Sequence, residues 1–356
     1  MAVLNGGKPI SEELYQRYAD NFRHAVDAVP MSDEDLAVQW RANVSRFAAY
    51  KAFHATNELR ITAEEEGGDL DMLQAVLHKY NRYQAVEYNT AVSRARTGKQ
   101  WQEFDDKDNR RLFPCIKWLP SRSATPREEH MPFYNRIWSK DDPFWNTNQP
   151  GTLWNCKCDW EQTDEEPTEN NPTNNITKPG LDRNPATSGQ IFTDTAAYIK
   201  KAPKESESIC RKTYRNEVAK EGRRVHKNEH ITCTIDKTDY ELDFSNFRFE
   251  NNKVDICFHF ASSMFGNSSY WLKNDILLHP QRYLKKASFI TSADVDIHNV
   301  GTTLALKQAT DKFFYLKVKL ADKKEIILHL GRYKDSQKLY LYSATESLPE
   351  YVRNPQ

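Results

Sequence analysis

The sequence predicts a multi-domain α+β protein. A hairpin of long helices comes first, then a small irregular Cys/His module, then a C-terminal α+β domain with an antiparallel β-meander. Three observations carry this reading. Apolar residues recur at helical spacing up to about residue 101. The next stretch is crowded with tryptophan, proline, histidine and cysteine. The end of the chain alternates apolar runs with short polar turns. The boundaries that follow are 1–110 helical, 111–160 module, 161–200 linker and 201–356 C-terminal domain.

Leu14, Tyr18, Phe22 and Val26 recur at every fourth position and share one helix face. Pro30 ends that element, and Ser32 before Asp33-Glu34-Asp35 has the chemistry of an N-cap. Leu36, Trp40, Val44 and Phe47 give a second stripe up to about residue 58. Gly67-Gly68 breaks the pattern. A helix from near Asp69 then carries Leu73, Val76, Leu77, Tyr80 and Tyr83 towards Trp101, roughly 48 Å at 1.5 Å per residue. Residues 163–190 are rich in Thr, Asn, Pro and acid, a composition that buries little apolar surface. They read as a linker or a surface-wrapping strap. Residues 206–228 read as a basic helix. His230 to Ile235, Tyr240 to Phe249 and Val254 to Phe260 read as short alternating runs, and Tyr283 to Phe289 as a short helix. Phe313 to Leu320, Glu325 to Leu330 and Leu339 to Ser343 read as a meander, its first turn at Ala321 to Lys324.

Composition narrows the function. A mean hydropathy of −0.81, with no run of 18 apolar residues, predicts no membrane span. The opening MAVLNGGKPI lacks the basic and apolar regions of a signal peptide. Six cysteines then favour reduced thiols over a disulfide framework. With 12 glycines and no Gly-rich phosphate loop, nucleotide-binding folds have no support. The net charge of zero conceals a gradient: residues 200–356 hold 27 Lys+Arg against 20 Asp+Glu, a formal +7, which leaves −7 on residues 1–199. A basic C-terminal part is compatible with a nucleic-acid partner, and equally with ordinary surface variation.

The most informative segment runs from Cys115 to Asp159. It contains Arg127-Glu128-Glu129-His130, Asp141-Asp142-Pro143-Phe144-Trp145, Pro150 and Asn155-Cys156-Lys157-Cys158. Thiolate and imidazole are the donors zinc prefers, so His130, Cys156 and Cys158 are candidate zinc ligands, with Cys115, Asp141 or Asp142 as a fourth. The opposing reading is a packed, hydrogen-bonded core. A Cys–His nucleophile pair has little support, because no Gly-rich turn presents either cysteine. Trp118, Trp138, Trp145 and Trp154 read as core and interface anchors.

In order and spacing, these motifs resemble the phage Mu protein F-like minor head proteins, or head morphogenesis proteins, over roughly residues 1–160. Glu87-Tyr88-Asn89-Thr90-Ala91 is similar to the stretch that precedes the signature module in that family. The family retains the His and the Cys-x-Cys but not Cys115. The resemblance implies a phage or prophage protein acting in head assembly near the portal. It would be in the host cytoplasm during assembly and then in the virion, with capsid and portal proteins as partners.

Such proteins often carry a toxin-like C-terminal domain, and residues 201–356 weakly resemble barnase, EndoU, colicin and RelE-type nuclease domains. Metal-independent RNA cleavage needs an acid, a base and a cation for the phosphorane charge. His279, His298 and His329 are the acid/base candidates, with Tyr340 and Ser343 beside them in the meander. Arg332 or Lys286 would hold the phosphate. The competing reading is a binding domain for capsid, portal or packaged DNA, without catalysis. Zinc-dependent hydrolysis by the module is a third.

Overall fold

The computed structural model describes residues 8–31, 34–65, 67–245, 247–249, 252–262, 270–295, 302–320 and 325–353. The chain divides into two units, Met1–Thr213 and Tyr214–Gln356.

Helix α1 (Glu12–Asp27) starts at Ser11, whose hydroxyl accepts from the Leu14 N–H at 3.3 Å. Helices α2 (Glu34–Glu65) and α3 (Leu70–Phe104) form the long pair expected from the stripes. The Ser32 cap lies outside the described residues. Gly67 and Gly68, at φ +61° and +83°, make the left-handed turn between α2 and α3. The two helices run antiparallel: Lys51 pairs with Glu87, and Glu58 receives Lys79 at 2.7 Å. A Cβ on Gly98 would lie 2.5 Å from the Trp40 ring, so α3 approaches α2 closely at this point. Helix α1 packs on both, filling the core with Tyr15, Tyr18 and Phe22.

Three buried charges were invisible in the sequence. Lys51 and Glu87 form an ion pair inside the helices, with the ammonium over the Tyr18 ring. Burial lowers the pKa of the lysine and raises that of the glutamate. Arg94 is fully buried and donates to the carbonyls of Ile191 at 2.6 Å, Leu181 at 3.0 Å and Arg183 at 2.6 Å.

Those carbonyls belong to the segment read as a linker or strap, and strap describes it. Leu181, Ile191 and Phe192 are buried, and the Phe192 ring stacks on Phe47 with centroids 4.1 Å apart. The Trp40 indole donates to Pro185 O at 3.0 Å, and Asn43 exchanges two hydrogen bonds with the Phe192 backbone. A segment poor in apolar side chains is held mainly through its peptide groups.

Between α3 and the strap lies the module. Strands β1 (Cys115–Leu119), β2 (Ile137–Ser139) and β3 (Asp159–Thr163) form an antiparallel sheet in the order β2-β1-β3. Its core is aromatic: Trp101, Trp118, Phe133, Trp138, Phe144, Trp145 and Trp160. Trp118, Trp138 and Trp145 are buried as expected, whereas Trp154 is half-buried and stacks on Phe192 of the strap.

The second unit is a six-stranded mixed sheet with helices. Its strands are β4 (Ile231–Ile235), β5 (Thr238–Leu242), β8 (Ala287–Asp294), β9 (Thr310–Lys319), β10 (Glu325–Tyr333) and β11 (Lys338–Thr345), in the order β4-β5-β11-β10-β9-β8. β6 (Phe247–Phe249) and β7 (Asn252–Val254) pair separately. The expected meander is β9-β10-β11; its first turn, 321–324, lies outside the described residues. The sheet is mixed because β11 also pairs parallel with β5.

Two assignments are corrected. Residues 256–262 are helical rather than extended: Asp255 caps the turn by accepting from Phe258 N–H, and Ile256, Cys257 and Phe260 bury one face. The helix expected over Tyr283 to Phe289 starts earlier, at Pro280, whose fixed φ suits a first helical position, and ends at Leu284. The run Phe289-Ile290-Thr291 then joins β9, as aromatic and β-branched residues favour.

Candidate metal centre

His130 sits in the 3₁₀ turn Glu128–Phe133. Arg127 anchors the start of that turn by donating to Trp154 O at 2.8 Å. Cys156 and Cys158 follow Asn155, which is left-handed at φ +58° and donates its N–H to Thr90 Oγ1 at 2.8 Å. That bond ties the cysteine loop to α3. The Trp118 ring meets the His130 imidazole edge-on at 5.0 Å and fixes its plane.

The result is a convergent donor set. His130 Nδ1 lies 3.2 Å from Cys158 Sγ and 3.4 Å from Cys156 Sγ. The three donor atoms lie within 4.8 Å of one another. Tetrahedral bonds of about 2.0–2.3 Å put ligand atoms between three and four ångströms apart, so one metal ion fits all three. A hydrogen bond from Cys158 holds the Cys156 thiol well below its ordinary pKa despite burial, with His130 adding to the effect. The same bond, together with burial, raises Cys158. One thiolate is therefore favoured before any metal binds, and a divalent ion would displace the second proton.

The proposed fourth ligands are not part of this set. Cys115 is buried at the start of β1, level with Ser139 and Thr163, and does not join the cluster. Asp141 forms an ion pair with Arg110 at 2.7 Å. Asp142 accepts from Phe144 N–H at 2.8 Å and caps the 3₁₀ turn Pro143–Asn146. The acidic-aromatic motif thus shapes the module, and the His and Cys-x-Cys form the site. The donors open on a cavity of about 300 Å³, lined also by Ser121, Ser123, Thr125, Arg127, Asn155 and Lys157. The sequence reading gave no site role to Arg127 or Lys157; a cation next to each ligand segment was the available signal.

In the second unit the meander sets His329 opposite Ser343 across β10–β11. Both are buried, and His329 Nε2 bonds to Thr345 Oγ1 at 2.9 Å. Tyr340 is wholly buried, with its hydroxyl 2.6 Å from Thr310 Oγ1. Arg332 is engaged by both carboxylate oxygens of Asp311. His279 precedes the helix Pro280–Leu284, Lys286 is exposed on the turn that follows, and His298 lies outside the described residues. A cavity of about 390 Å³ in this unit is lined by Arg223, His226, His230, Glu241, Asp243 and Lys338 among others, and by none of the candidates named from the sequence.

Sequence comparison returns to the phage head. Over 47 residues, 13% of the chain, the protein is 34% identical to the "Putative capsid assembly protein F" of Escherichia phage Mu. Over 76 residues, 21% of the chain, it is 28% identical to the Mu-like prophage FluMu F protein of Haemophilus influenzae. These matches span 11% and 17% of the two relatives. No family model and no solved structure matches the chain. Among the described residues, no helix is long and apolar enough to cross a membrane.

Proposed function

We propose that this protein acts in phage head assembly, with the first unit as its capsid-associated part. The similarity to two Mu-type F proteins carries this reading. The aromatic core fits it, since it gives the Cys/His site a rigid support. In this reading the unit contacts capsid components close to the portal. Deleting the gene from its phage or prophage should cut particle yield and infectivity. Particles unchanged in yield, genome content and infectivity would refute the proposal.

Zinc is the metal proposed for His130, Cys156 and Cys158, because two thiolates and an imidazole match its preferences. Protein purified without chelator should carry about one zinc per chain. The double variant Cys156→Ser, Cys158→Ser should carry almost none by elemental analysis. Equal metal in both proteins would exclude the site.

The second unit is proposed as a binding domain, for capsid, portal or packaged DNA. The burial of His329 and Tyr340 among internal partners favours this over catalysis. Induction of the full chain in bacteria should leave total RNA intact. Growth arrest with fragmented RNA, relieved by His329→Ala, would instead establish the ribonuclease reading.

A further inference from the structure

We infer that a metal held by His130, Cys156 and Cys158 keeps its fourth coordination position open to an anionic oxygen donor from outside the chain, attracted by Arg127 and Lys157. This inference rests on the metal reading above.

The donor count is the first support. Among the described residues, no fourth His, Cys, Asp or Glu joins the three converging atoms. Cys115 is remote on β1, Asp141 and Asp142 are engaged elsewhere, and Glu129 pairs with Lys178 at 3.3 Å. Structural zinc sites are closed by four protein ligands. Sites with three protein ligands leave one position for water or substrate, and Cys₂His is a known set of this kind.

The surroundings of that position are the second support. His130 is 1% exposed and Cys156 7%, so the protein covers the donors on most sides. The remaining side is the cavity of about 300 Å³, roomy enough for a carboxylate or phosphate group. Its other lining residues are hydroxyls, an amide and two cations, with no carboxylate among them.

Charge is the third. A divalent ion with two thiolates and a neutral imidazole is locally neutral. Arg127 and Lys157 then make the cavity positive. Arg127 gives one nitrogen to Trp154 O, and its guanidinium carries five N–H donors in all. An anion here would meet the metal and a charge-assisted donor together.

Cobalt(II) tests this in the full chain. Cobalt loading should produce a near-ultraviolet thiolate-to-cobalt band and a visible d–d band. Titration with inorganic phosphate, and separately with acetate, should shift the d–d band saturably while the thiolate band stays. The variant Arg127→Gln, Lys157→Gln should keep the thiolate band and bind the anion about tenfold more weakly, the ratio that 1.4 kcal/mol represents. A response to phosphate alone identifies phosphoryl groups as the donor, and a response to acetate alone identifies carboxylates. A thiolate band with a d–d band indifferent to both anions overturns the open position and leaves the metal reading standing. Absence of the thiolate band overturns both. The titration of the unmodified chain decides these outcomes even if the double variant fails to fold.

Discussion

Replacing Arg94 with alanine should destabilise the first unit by about 3–5 kcal/mol, the scale of a large-to-small core substitution that also strips buried acceptors of their donor. The guanidinium is fully buried, and burial lowers its pKa to about 9, with Asp182 opposing the shift. It satisfies the buried carbonyls of Ile191 and Leu181 and the part-buried carbonyl of Arg183. Truncation leaves these acceptors bare and opens a cavity, and the two costs add. Arg94→Met separates them, because it fills space without donating hydrogen bonds. Thermal unfolding of the full chain should show both variants strongly lowered. Methionine restoring the native midpoint would mean that volume, not hydrogen bonding, holds the strap.

Acidification should selectively weaken the second unit. Burial lowers His329 from 6.5 to about 4, and Lys273 pushes the same way. His259 is lowered to about 4 for the same two reasons. Both are neutral in the folded state, whereas the unfolded chain protonates them near pH 6.5. Their contribution is complete above pH 6.5, falls as pH drops through the window to about 4, and is lost below it. Each is worth on the order of 3 kcal/mol across that window. Denaturant unfolding at pH 7 and pH 4.5 should show the loss, and His329→Gln should remove about half of the pH-dependent part. Equal pH sensitivity in the variant would exclude His329 as a source.

The sequence revealed elements wherever a periodic apolar pattern coincided with burial. Leu14, Tyr18, Phe22 and Val26 mark α1, and the runs at 313–320 and 325–330 mark β9 and β10. The donor triplet was legible too, because so few residue types bind soft metals. What failed depended on tertiary context. Arg94, Lys51 and Glu87 look like surface charges in any local window, and only packing buries them. The strap has the composition of a tether, yet its carbonyls serve the helices. Cys115 shares the ligand chemistry, but β1 directs it into another part of the module. His329 and Tyr340 were named by residue type alone, and their burial in the sheet is likewise set by tertiary packing.

The distance in sequence between Arg94 and its acceptors also sets a timetable. Arg94 leaves the ribosome 97 residues ahead of Ile191. At about 5–20 residues per second, the helices wait roughly 5–20 s with Arg94, Trp40 and Asn43 unpartnered. A nascent chain stalled after the Cys-x-Cys motif would hold His130, Cys156 and Cys158 and still lack its fastening. The order of synthesis therefore leaves the helical bundle in need of protection during translation, and strap docking becomes the step that ends its exposure.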